Sequence, residues 1–173
     1  FGKTGKTDAL LSVIMRKRGN IYQSDGERAP NKEKPAALFA KGSVGITDSN
    51  KAGASLRLYR NNTTEPGNPT QTHGDSGLRD RKTVQNDVQF WYQYAPVDNS
   101  LINVKSTLYL SDITIKTNGH NKTAEWRNNR TSGVNVVNRS HTLIFPGAHQ
   151  LSYGAEYYRQ QQKPEGSATL YPE

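Results

Sequence analysis

The chain has 173 residues, a formal net charge of +8 and no cysteine, which excludes disulfide scaffolds, cysteine zinc sites and thiol catalysis. Its length suits one domain. No apolar run approaches the roughly 20 residues of a membrane-spanning helix, and no charged stretch leads into an apolar one as a signal peptide requires. Hydrophobic residues make up only 32%, yet nine Tyr, four Phe and two Trp argue for packing rather than disorder. The basic balance points to an anionic partner without choosing its class.

The chain opens with GKTGKT at 2–7. A phosphate-binding loop needs a glycine five positions before the Gly5–Lys6 pair, which falls ahead of Phe1, and a strand before it. A turn is the better reading. Period-two alternation then dominates. Strands are expected over 8–17, 36–46, 54–61, 82–95, 101–116, 130–144 and 147–163. The clearest is 82–95: Val84, Val88, Phe90, Tyr92 and Tyr94 share one face, and Thr83, Gln85, Asp87, Gln89 and Gln93 the other. In 101–116, Ile102, Val104, Leu108 and Leu110 hold the apolar phase. Ile113 and Ile115 fall out of it, which predicts a bulge near Ser111 or Asp112. In 147–163, Leu151, Tyr153, Ala155 and Tyr157 alternate with polar residues.

Short turns are expected at 47–53, 96–100 and 145–149, and long polar loops at 18–35, 62–81 and 117–129. Strict alternation of short and long connections puts all long loops on one edge of an up-and-down sheet, as in outer-membrane barrels. The strands are also longer than the roughly 5–6 residues usual in soluble sheets. The fold class expected is therefore all-β: an antiparallel up-and-down transmembrane β-barrel segment of about seven strands. Val84, Val88, Phe90, Tyr92, Tyr94, Leu108, Leu110, Leu151 and Tyr153 are the expected lipid-facing residues. Tyr92, Tyr94, Phe145 and Tyr153 lie near strand ends, where an interfacial aromatic girdle belongs. The competing reading is a secreted soluble β-sandwich adhesin or binding module, whose apolar faces would meet a second sheet.

Chemistry-bearing patterns are sparse. His73, His120, His141 and His149 have no metal-ligand spacing, so no metal site is expected. No nucleophile–base set is visible. Asp112 and Glu156 are both placed near the lumen but are not paired as acid and base, so no catalytic residue and no enzyme is expected. The basic residues are dispersed rather than interleaved with aromatics on one face, which argues against nucleic acid. At a barrel rim, Lys and Arg would instead meet lipid phosphates.

Three stretches carry a family likeness. QLSYGAEYYRQQQK at 150–163, RTSGVNVVNRSHT at 130–142 and ALFAKGSVGITDSNKAGASLRLYRNN at 37–62 resemble barrel strands of TonB-dependent outer-membrane receptors, in the haem, haemoglobin and haemophore branch. The resemblance implies a plug inside a barrel of about 22 strands, of which residues 1–173 form part of a single barrel domain without the plug. It implies a bacterial outer-membrane transporter for haem or a haem-carrier protein. The TonB complex would be a partner through the plug, and outer-membrane lipid a second. A ferric-siderophore receptor is the alternative within the same fold. Haem is then transported ligand rather than resident cofactor. His73, His120, Trp126 and Arg79 are the candidates for ligand contact in extracellular loops.

Overall fold

The computed structural model describes residues 2–22, 26, 28–66, 78–119, 122–142, 147 and 149–165. They form eleven strands: β1 Gly2–Thr4, β2 Thr7–Met15, β3 Ile21–Tyr22, β4 Arg28–Ala29, β5 Lys32–Glu33, β6 Ala36–Gly45, β7 Asn50–Pro66, β8 Leu78–Tyr94, β9 Val104–Gly119, β10 Lys122–Thr142 and β11 His149–Glu165. One antiparallel sheet runs β1-β2-β6-β7-β8-β9-β10-β11, and β5 extends β6 along β7. The break between β5 and β6 falls at Pro35, which has no N–H to give the ladder, while Lys34 N still donates to Asn62 O at 3.0 Å. β3 and β4 make a separate two-stranded ribbon.

The GKTGKT stretch is a hairpin: Thr4 pairs with Thr7, leaving Gly5 and Lys6 as its turn. The pairing of β9 with β8 and β10 runs unbroken through Ser111 and Asp112, so the expected bulge there is absent. The one register shift in the β9–β10 pairing lies between Lys122 and Glu125. Asp112 therefore keeps the phase of Leu108 and Leu110 rather than facing the lumen, and Ile113 and Ile115 take the opposite face. The strands also outrun expectation. Residues 62–66, 78–81, 117–119 and 122–129 continue the ladder instead of forming long loops. Only 120–121 separate β9 from β10, whereas 95–103 join β8 to β9 on the opposite edge. The expected strict alternation of connection lengths gives way to an asymmetry of strands: the wall projects past its apolar part on one side only.

Among the described residues no hydrophobic side chain is buried; Ser140, 6% exposed, is the one buried residue. Nor does a second sheet cover the apolar face among the described residues, which removes the sandwich's defining contact. Large apolar residues stand exposed on that face, including Leu11 (65%), Phe90 (58%), Leu108 (58%) and Tyr157 (74%). The opposite face is polar and hollowed, so the apolar side is convex and the polar side concave.

Register shows how the apolar belt crosses the sheet. One line of cross-strand partners reads Leu11, Ala40, Leu56, Val88, Leu110, Ser132 and Arg159. The belt does not follow that line. Its upper edge lies at Met15 in β2 and Ala36 in β6. It then falls to Leu58, Val88, Leu110, Val134 and finally Tyr157 in β11, each followed on its face by Arg60, Asn86, Asp112, Ser132 and Arg159. The edge thus slips by about one residue per strand. A rise of about 3.3 Å against a strand spacing of about 4.8 Å corresponds to a tilt of roughly 35°, within the range of outer-membrane barrels. The 10-residue β6 spans roughly 33 Å and at that tilt stands about 27 Å tall, against about 25 Å for such a belt.

Candidate functional site

The concave face is built from alternate residues of β2 and β6–β11. In its lower half, Lys51 Nζ donates to Asp8 Oδ2 at 2.8 Å and Ser43 Oγ donates to the same oxygen at 3.0 Å. Lys105 Nζ lies 4.7 Å from the centre of the Trp91 ring, a cation–π contact. The indole is accommodated by Gly53: a Cβ there would come within 2.5 Å of the ring and 2.6 Å of Gly42 O. Gly133 plays the same part under Tyr109, whose hydroxyl donates to Glu156 Oε1 at 2.7 Å. One strand higher in sequence phase, Asp87 accepts from Arg57 Nε at 2.5 Å, Ser111 Oγ at 2.6 Å and Gln85 Nε2 at 3.0 Å. Two adjoining hollows, of about 570 and 340 Å³, share Phe39, Ser55 and Gln89 as floor. This is a wall of fixed, mutually satisfied polar groups suited to face a polar element or water, not to perform acid–base chemistry.

Above the level of the belt the concave face changes character. Tyr59, Gln85 and Ile113 are cross-strand partners in one line, and Ile115 follows two residues on. Arg127 is the cross-strand partner of Ile115, and beyond that line the same phase carries Arg81 and Arg79; Arg81 pairs with Glu65 at 2.7 Å. Tyr59, Ile113 and Ile115, interrupted by Gln85 and Thr83 and neighboured by guanidinium groups, line the inner side of the projecting wall. Sequence alone does not reveal this lining, because period two reads Ile113 and Ile115 as a slipped outer phase.

Of the loop candidates, His73 and His120 lie outside the described residues. Arg79 and Trp126 are strand residues of β8 and β10, not loop residues. Arg79 has the concave phase. Trp126 is the partner of Lys116 on the convex side, with its Nε1 buried and without an acceptor. Val84, Val88, Phe90, Tyr92, Tyr94, Leu108, Leu110, Leu151 and Tyr153 all share the convex phase. Val84 stands above the belt's edge, between Arg60 and Thr114. Near the lower edge, the Tyr92 hydroxyl donates to Asn50 Oδ1 and the Tyr153 hydroxyl accepts from Asn138 Nδ2 at 2.7 Å. Phe145 lies outside the described residues. No group of three His, Cys, Asp or Glu able to hold a metal occurs among the described residues.

No protein-family model matches the chain. Over its full length it is 37% identical to a hemin receptor of Yersinia pestis and 36% identical to a hemin receptor of Yersinia enterocolitica. It spans about a quarter (26%) of the length of each. Among solved structures it matches a double mutant of the Serratia marcescens hemophore receptor HasR, in complex with its hemophore HasA and heme. That match has a TM-score of 0.76 and 19% identity over 95% of this chain and 24% of that one. The fold is thus shared with a receptor, and the sequence kinship is to receptors rather than enzymes. Along its whole length the chain is similar to a stretch of those hemin receptors, and it shares the all-β fold of part of the hemophore receptor.

Proposed function

We propose that the protein containing this wall takes up haem, free or delivered by a carrier protein, across the bacterial outer membrane. The TonB complex would drive uptake through a plug seated against the concave face. Residues 1–173 are then part of one barrel domain closed by further strands. An open β11 edge 17 residues long is not tolerated in lipid without a partner strand. The observation that carries the reading is the end-to-end kinship with two hemin receptors, joined to a sheet whose apolar face is the outer one.

The chemistry of haem fits the upper concave strip. A flat apolar ring with two carboxylates matches Tyr59, Ile113 and Ile115, with Arg127 beside Ile115 and Arg79 above it. His73 and His120, outside the described residues, and the exposed Tyr22 of the β3–β4 ribbon are further candidates for ligand contact. The test is growth of an iron-starved strain that lacks its own haem receptor and carries the complete gene. Haem should support growth, and Tyr59→Ala with Ile113→Asn should weaken it. Growth on a ferric siderophore that haem fails to compete against would transfer the assignment to the siderophore alternative.

A further inference from the structure

Haem held at the top of the concave face leaves the lower half of that face without a task. There a hollow of about 570 Å³ is lined by Phe39, Lys41, Lys51, Gln89, Trp91 and Lys105. Lys51 is paired with Asp8. Lys41 and Lys105 are exposed, and among the described residues no carboxylate pairs with either. They face the hollow from β6 and β9, with β7 and β8 between them. Two aromatic rings, Phe39 and Trp91, supply its apolar surface, and Gly53 leaves the indole its room.

The middle of the wall separates this hollow from the upper strip. Arg57 is paired with Asp87 there, and the Tyr109 hydroxyl donates to Glu156, so among the described residues that stretch offers an anion no unpaired cation. From Ile113 down to Lys105 is about 26 Å along β9 at about 3.3 Å per residue, too far for one rigid macrocycle to touch both. Lys105 meets the face of the Trp91 ring, 4.7 Å from its centre. Such a contact at an exposed site is weaker than a charge-assisted hydrogen bond to a carboxylate. A carboxylate entering the hollow therefore draws the ammonium off the indole and bares an aromatic face beside it.

We propose that this hollow is a second binding site, a lower station for a planar aromatic ligand that carries carboxylates. Trp91 and Phe39 take the ring, and Lys105 and Lys41 take the carboxylates. The ligand arrives there from the upper strip once the plug gives way. A ligand fits better than an acidic segment of the plug, because the hollow offers ring surface as well as charge and a carboxylate side chain uses only the charge. The station rests on the haem reading.

The test uses the complete receptor in energised cells, with gallium protoporphyrin as probe, a redox-inert ring that keeps both carboxylates. A water-soluble carbodiimide joins carboxylate to amine where the two touch, and mass spectrometry reads the joined peptides. Porphyrin should appear on Lys105 and Lys41 only in energised cells, and not on Lys163 of the convex face. Lys41→Gln should lower the yield on Lys105 about tenfold, the factor for about 1.4 kcal/mol, and Lys41→Arg should keep it. Porphyrin affinity from outside should stay unchanged in both variants, which shows them folded. Uptake with no porphyrin on either lysine, or an equal yield on Lys105 in Lys41→Gln, overturns the station and leaves the haem reading standing. Lysines joined instead to carboxylates of the receptor's own plug overturn the ligand and make the hollow a seat for the plug. A receptor that neither binds nor takes up porphyrin sinks the haem reading itself.

Discussion

Arginine scanning along a single cross-strand line offers the sharpest test of the slanted belt. Ala40, Leu56 and Val88 are register partners on three successive strands, so an untilted sheet would hold them at one depth. The slant separates them. In β6 the apolar phase runs from Ala36 to Val44, which puts Ala40 at its middle. In β8 it runs from Tyr94 only up to Val88, with Asn86 next, which puts Val88 at the top. An arginine at the midplane of a barrel's lipid face costs roughly 2–4 kcal/mol and near an interface about 0–1 kcal/mol. Ala40→Arg should therefore cost about 3 kcal/mol and Val88→Arg about 1 kcal/mol. The larger apolar loss at valine works against this order, which makes the comparison stricter. The assay is equilibrium refolding of the complete barrel into lipid vesicles, with Gln89→Ala on the concave face as a control of small effect. A Val88→Arg cost equal to or above that of Ala40→Arg would refute the tilt and the belt together.

Other expectations concern the concave face and the lower rim. Gly53→Val drives a side chain into the Trp91 ring and the Gly42 carbonyl. It should cost roughly 1–3 kcal/mol and shift tryptophan emission; an unchanged spectrum with unchanged stability would contradict the packing. A double-mutant cycle on Arg57 and Asp87 should give a coupling of about 0.5–1 kcal/mol, modest because Arg57 is 54% exposed. A coupling of zero would mean that Ser111 and Gln85 hold Asp87 alone. At the lower rim, the hydrogen bond and charge of Lys6 hold the Asp48 carboxyl below the usual range. Because the folded value is depressed, the contact is complete above about pH 4 and fades as pH falls through that lower value. Amide exchange in the Gly5–Lys6 turn should quicken on acidification, and Lys6→Gln should remove the dependence. A variant that keeps the same pH response would place its origin elsewhere.

The belt was legible in the sequence because its two faces differ. Val88, Phe90, Tyr92 and Tyr94 against Gln85, Asp87, Gln89 and Gln93 leave one answer for phase. The projecting wall was not. At 62–66, 78–81 and 122–129 both faces are polar, so period two vanishes and an extended strand reads as a loop. Ile113 and Ile115 misled for the complementary reason. An apolar residue above the membrane is free to point inward, but from the sequence alone it imitates a change of register. The tilt is invisible in any one strand, since it exists only as a difference between neighbours. The candidate site divides the same way. Arg79 and Trp126 were found as residue types, but whether each looks into the mouth or out toward lipid is decided by pairing with Gly119 and Lys116.

Every neighbour in the main sheet is also a neighbour in sequence, from β6 through β11. The wall is therefore modular in pairs. Excision of β8 together with β9 would bring β7 against β10, still antiparallel and bridgeable by a short link. Removing β8 alone would set β7 beside β9 with both chains running the same way, a pairing that needs a crossover of a dozen or more residues. Duplication and loss of whole hairpins is then the step by which such a wall changes girth, and an odd count is the state it passes over.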